Sequence, residues 1–191
     1  MMLSPHFSAL ELGVSRASAD DVNRYRVLCS HTLEVLRIAL GGTGITVISG
    51  HRPASTNTGR ASSHHLPPHE RVAMAEQLPI GARMSTTDRG VWSDILLADS
   101  AAADVRHGVH RPELVYAVAE VLATRRLVPV GGLFFYPLLP SGRGGFVHLD
   151  NRGRRARETD KIPPADATTT RAAIALVDAA ATGIASYRSA M

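Results

Sequence analysis

At 191 residues, with 45% apolar and 20% charged side chains, the chain has the size and composition of one globular domain with room for extensions, and it holds no apolar run of about 18 residues to span a bilayer. Its one cysteine, Cys29, excludes an internal disulfide. The formal charge of +4 suits nucleic acid, cell wall or an anionic membrane surface alike, and by itself selects none of them.

The opening "MMLSPHFSALELGVSR" lacks the basic-then-apolar layout of a secretory signal, which predicts synthesis and folding in a reducing cytosol. From Ser18 to Gly41, apolar side chains at Val22, Tyr25, Cys29, Leu33, Leu36 and Leu40 recur at intervals of three and four, predicting a helix with Cys29 on its core side. "GITVISG" then reads as a short buried strand between glycines, ending in "HRP". A second helix fits "RPELVYAVAEVLATRR", with Pro112 in the first turn and two arginines at the negative end of the dipole. Strands fit "VGGLFFYP" and "GFVHLD". The alanine-rich end, "DATTTRAAIALVDAAATGIASYRSAM", predicts one thin appended helix with Ile174, Val177, Ala181 and Ile184 in register. The order of elements is α+β.

Side chains with chemical capacity gather in "SGHRP" (49–53), "ASSHHL" (61–66) and "GFVHLD" (145–150), each at a strand end or in the loop that follows. Two histidines and a carboxylate make a three-ligand zinc site with a position left for water. Two carboxylates follow the histidine pair, Asp94 in "GVWSDI" and Asp104 in "SAAADVR". Taken alone, the histidines of "HHLPPH" make a polar loop more often than a ligand set. "HERVA", from His69, is not an H-E-x-x-H zinc helix, because Ala73 stands where the second histidine must be. The basic run "RGRRAR" predicts a solvated edge after the last strand. With aromatics at 5% of the chain it lacks the stacking platforms of a single-strand binder, so nucleic acid is not the expected partner.

In order, "SGHRP", Asn57, "SSHHL", "AAADV", the helix from Pro112, "VGGLFFYP" and "GFVHLDNRGRRAR" resemble the zinc D-alanyl-D-alanine carboxypeptidases and related murein peptidases of the hedgehog/DD-peptidase fold. The resemblance runs from about Leu3 to Arg157. It implies a DD-peptidase-like domain over residues 1–157 and a linker with a helical tail over 158–191. It also implies zinc held by His65, Asp104 and His148, with Asp104 preferred to Asp94 because "AAADV" leads straight into the helix. Arg52 and Ser63 would face a substrate peptide ending in a carboxylate. His65 and Asp104 are 39 positions apart, so residues of about 66–99 form a long insertion relative to the family. Gly145 and Phe146 stand where the family often places Glu or His, which leaves Asp150 to orient a ligand or take the proton. The implied activity is hydrolysis of a peptide bond in a peptidoglycan stem peptide. With no secretory signal expected, that substrate points to a phage context, as an endolysin or a virion-associated lysin. The second expectation is an inactive virion or assembly protein that keeps the fold and docks partners through its C-terminal helix.

Overall fold

The computed structural model describes residues 1–52, 65, 67, 70, 100–152, 155–157, 162–164 and 166–191. Asn57, Ser63, Asp94 and nearly all of the 66–99 insertion lie outside the described residues. The first helical stretch is α1 (Ala19–Leu28), a π-helical turn (Cys29–Leu33) and α2 (Glu34–Ala39) in unbroken succession. Ser18 caps it, its hydroxyl accepting from the Asp21 amide at 3.1 Å, and Asp20 and Asp21 sit at the positive end of the dipole. Tyr25, Leu28, Cys29, Leu33 and Leu36 face the core. The expected helix is therefore present with its expected stripe, and the π turn adds a change of phase that residue spacing did not announce. Burial and the nearby Glu34 carboxylate push the Cys29 thiol far above its ordinary pKa, so it remains a neutral core group.

Strands β1 (Ile45–Ser49), β2 (Ala102–His107), β3 (Leu133–Tyr136) and β4 (Phe146–Asp150) form one antiparallel sheet in the order β1-β2-β4-β3, with α3 (Pro112–Thr124) between β2 and β3. Alternation along each strand divides the sheet into two faces. Ile45, Ala103, Val105, Leu133, Phe135, Val147 and Leu149 point into the core that the helices cover. Asp104, Phe134, His148 and Asp150 point the other way, and all four are buried. Asp104 stands directly opposite His148, and Phe134 opposite His148 on its other side. A bulge in β1 skips Ile48, so that Val47 pairs with Val105 while Ser49 pairs with Asp104.

The C-terminal segment departs from the expected single helix. It forms α4 (Ala167–Ala179) and α5 (Ala181–Ser189), and Ala173, Val177 and Ile184 belong to the main core. Ile174, expected on the buried stripe, is 37% exposed and Ala181 is exposed. The small Ala173 side chain lets α4 lie close, and Arg125, just past α3, reaches Asp178 on α4 at 2.5 Å. The basic run also departs from a solvated edge. Arg152 is bound to Asp150, and Arg157 reaches Glu120 of α3 through Nε at 2.8 Å and Nη2 at 2.6 Å. Their side chains are 14% and 8% exposed, whereas that of Arg155, also on Glu120, is 71% exposed. The buried Asp150 carboxylate gains a guanidinium partner in Arg152, and the half-buried Glu120 is shared by Arg155 and Arg157. Among the described residues no helix is long and apolar enough to cross a membrane.

Candidate metal centre

Three side chains meet on the sheet face turned away from the helices. Asp104 and His148 come from the paired strands β2 and β4, and His65 is brought in from the segment that follows β1. His65 is tied to that segment twice: its Nδ1–H donates to the Gly50 carbonyl at 2.5 Å, and its own carbonyl accepts from the Arg52 amide at 2.9 Å. Gly50 must be small here, since a Cβ would lie 2.5 Å from the Leu12 carbonyl oxygen.

The facing atoms form a small triangle. His65 Nε2 is 3.2 Å from His148 Nδ1 and 3.3 Å from Asp104 Oδ1, and His148 Nδ1 is 2.8 Å from Asp104 Oδ1. Donor atoms bound to one tetrahedral ion at about 2.0–2.1 Å lie roughly 3.3 Å apart, so two edges of the triangle match one face of such a shell and the third, closed by the His148–Asp104 hydrogen bond, is shorter. The second nitrogens fix what the inner ones carry. A carbonyl can only accept, so Gly50 takes the His65 proton at Nδ1 and leaves a lone pair at Nε2. His148 Nδ1 donates to Asp104 Oδ1 at 2.8 Å, and Asp150 Oδ2, 3.5 Å from His148 Nε2, can keep a proton on the outer nitrogen when Nδ1 gives up its own and offers a lone pair. With neutral imidazoles the interior of the triangle contains acceptors alone. Only a proton or a cation can make that arrangement favourable, and this buried His65-Asp104-His148 group could hold a metal ion.

No family model, curated protein or solved structure matches the chain.

The charges at the site follow from its partners. Burial, opposed in part by the hydrogen bond to Asp104, lowers the His65 pKa. Burial also works against the Asp104 charge, but hydrogen bonds to His148 and His65 prevail and hold the carboxyl well below the usual range. For His148 burial again favours the neutral ring, yet hydrogen bonds to Asp104 and Asp150 push the pKa up to about 9. The metal-free centre thus holds one proton on His148 at neutral pH, and an ion must displace it. This raised pKa gives stability that is fully present below the unfolded value near 6.5 and lost as pH rises through about 9. Metal binding gains what the proton loses. Apparent affinity should rise about tenfold per pH unit between about 6.5 and 9, with about one proton released per ion at neutral pH, read by calorimetry in two buffers of different ionisation enthalpy. A pH-independent affinity would contradict this account.

The structure brings together all three ligand candidates. Arg52 lies at the edge of the same group: its Nη2 donates to Asp104 Oδ2 at 2.8 Å and its Nε to Ser49 Oγ at 2.5 Å, with the side chain 40% exposed. It therefore holds the outer oxygen of Asp104 and aims the inner one. Asp150 stands behind His148, on the imidazole edge turned away from the triangle, and is 0% exposed. That position suits an orienting group and gives no reach to a proton at the ligand side. Sequence reasoning did not single out the Gly50 carbonyl, Phe134, Gly132 or Arg152. The alternation in "LFFY" places Phe134 on the site face, and this was the available signal for one of them.

Proposed function

We propose that the chain is a zinc-dependent peptidase of the hedgehog/DD-peptidase kind, acting on a peptide bond of peptidoglycan, with His65, Asp104 and His148 as ligands. The observation that carries the reading is the buried convergence of His65 Nε2, His148 Nδ1 and Asp104 Oδ1, with two edges of 3.2 and 3.3 Å close to one face of a tetrahedral shell and a third of 2.8 Å. Two imidazoles and one carboxylate are a zinc donor set, and three protein ligands leave a coordination position open, as a catalytic rather than a purely structural site requires. When bound, zinc would supply Lewis acidity toward a scissile carbonyl and an activated water. The chain's own residues hold the geometry: Gly50 and Asp150 fix the tautomers, and Arg52 fixes the carboxylate. The half-exposed Arg52 guanidinium is also placed to meet an anionic substrate group beside the metal. The substrate class rests on the order of motifs along the sequence.

One observation favours a second reading, the fold kept without turnover as a virion component. Asp150 lies behind His148, and among the described residues no other carboxylate joins the metal group as a proton acceptor. Incubation of zinc-loaded protein with peptidoglycan, or with a peptide ending in D-Ala-D-Ala, separates the two. The enzyme reading expects product that disappears on chelation and in His148→Ala, while peptide binding persists, because the losses fall on the transition state. Stoichiometric zinc without product supports the second reading, and no zinc uptake removes the first.

A further inference from the structure

We infer that Arg152 is a positioning residue of the metal centre, setting the His148 imidazole through Asp150 on its edge and Phe134 on its face. The inference rests on the metal-site reading above.

Arg152 touches no ligand atom itself. Its Nε lies 2.8 Å from Asp150 Oδ1 and 2.9 Å from Oδ2, its Nη2 lies 2.5 Å from Oδ2, and its backbone amide donates to Oδ1 at 3.0 Å. The Gly132 amide adds a bond to Oδ1 at 2.9 Å. A buried carboxylate held by a single donor could turn about its own axis. A planar fork fixes the carboxylate plane, and with it the direction in which Oδ2 meets His148 Nε2. The same guanidinium lies 5.6 Å over the Phe134 ring, whose centroid is 5.3 Å from that of His148 with the planes tilted by 30°. One side chain therefore restrains the imidazole in two directions. Asp150 opposes the ring flip that would turn Nδ1 away from His65 and Asp104, and Phe134 opposes a tilt out of their plane. With its side chain 14% exposed, Arg152 is built into the wall of the site and does not face a substrate.

Two variants separate orientation from simple packing. Arg152→Lys keeps a positive charge against Asp150 and loses the fork; Arg152→Gln loses both. For each, alongside wild type, thermal unfolding is measured without metal, zinc affinity by competition with a chromophoric chelator, and the His148 Nε2–H signal by long-range nitrogen–proton NMR. The expected result is a roughly 10–100-fold loss of zinc affinity in both variants, the range typical for removing a partner of a ligating histidine. Arg152→Lys should unfold close to wild type, and the protected Nε2–H signal of His148 should broaden or vanish. If Arg152→Gln does not fold, Arg152→Lys decides: weakened zinc at an unchanged midpoint supports the role, and wild-type affinity overturns it. If wild type takes up no zinc, the metal reading fails by itself. The NMR comparison on metal-free protein then decides the positioning role alone, since an Nε2–H signal unchanged by either substitution overturns it and its loss supports it.

Discussion

Asp104→Asn should fold and yet bind zinc more than about a hundredfold more weakly than wild type, a loss beyond what removing a partner of a ligand costs. The asparagine matches the carboxylate in shape, so the β2–β4 pairing and the core beneath it are undisturbed. Its amide, however, must choose an orientation. Arg52 Nη2, 2.8 Å from Oδ2, can only donate and draws the amide oxygen toward itself. The NH2 group then points at His65 Nε2 and His148 Nδ1, the two lone pairs that would bind the ion. The variant fills its own site with protons, and a neutral amide replaces the single negative charge among the three ligands. Equilibrium dialysis with metal analysis gives the answer. Stoichiometric zinc at wild-type affinity would show that these three residues are not the ligands, and peptide hydrolysis should fall with the metal.

The second large effect is expected directly behind a ligand, in Gly132→Ala. An added Cβ would lie 2.2 Å from Asp150 Oδ2 and 2.8 Å from Arg152 Nη2. Neither side can yield without loss. The Gly132 amide donates to Asp150 Oδ1 at 2.9 Å and its carbonyl accepts from the Asp150 amide at 3.0 Å, so its backbone is tied to the same residue that it would strike. Relief means forcing a carboxylate with 0% exposure away from its guanidinium. Overpacking costs about 1–3 kcal/mol, and breaking a buried ion pair about 3–5 kcal/mol. A loss of about 2–5 kcal/mol is expected by denaturant titration, a large share of a domain's margin of about 5–15 kcal/mol. Gly108→Ala is the matched control, since a Cβ there meets nothing within 4 Å. Equal stability of the two variants would mean that the Asp150–Arg152 pair is not the rigid body described here.

Much of the fold could be read from local rules. Ser18 and Gly41 bracket the first helix, Pro112 opens α3, and the glycine-bounded β-branched run forms β1 where its composition predicts a strand, though at the edge of the sheet with Thr46 and Ile48 exposed and not buried as expected. These are interactions within a few residues, and residue order carries them. The π turn at Cys29–Leu33 leaves the buried stripe almost intact and so left no mark in the periodicity. The ligand set rested on the order of motifs, and the structure brings those three residues to one point. What the sequence did not disclose is pairing across distance. Arg52 finds Asp104 over 52 positions and Arg157 finds Glu120 over 37, and nothing in a basic run says whether each charge meets water or a carboxylate of the fold. In the C-terminal segment the expected stripe holds at Val177 and Ile184 and fails at Ile174 and Ala181, for a related reason. Alanines carry little hydrophobic signal, so the pattern favours Ile174, while the close approach at Ala173 decides which side faces inward.

The skipped residue in β1 makes the site sensitive to the length of the chain. From Ile45 to Val47 the strand keeps step with β2, and then Ile48 stands outside the ladder, 43% exposed, before pairing resumes at Ser49. Because strand side chains alternate, that single uncounted residue moves Ser49 from the core face to the face of Asp104, where its hydroxyl receives Arg52. It also sets where the next carbonyl, that of Gly50, falls against His65. Almost any side chain could replace Ile48 without touching this arrangement, since what matters there is the presence of a residue and not its chemistry. Losing the position would straighten the ladder and carry the Gly50 carbonyl about 3.3 Å back along the strand, away from the imidazole that it orients. In this strand an insertion or deletion and a substitution are different kinds of change: the first resets the alignment of the metal ligands, and the second leaves it as it was.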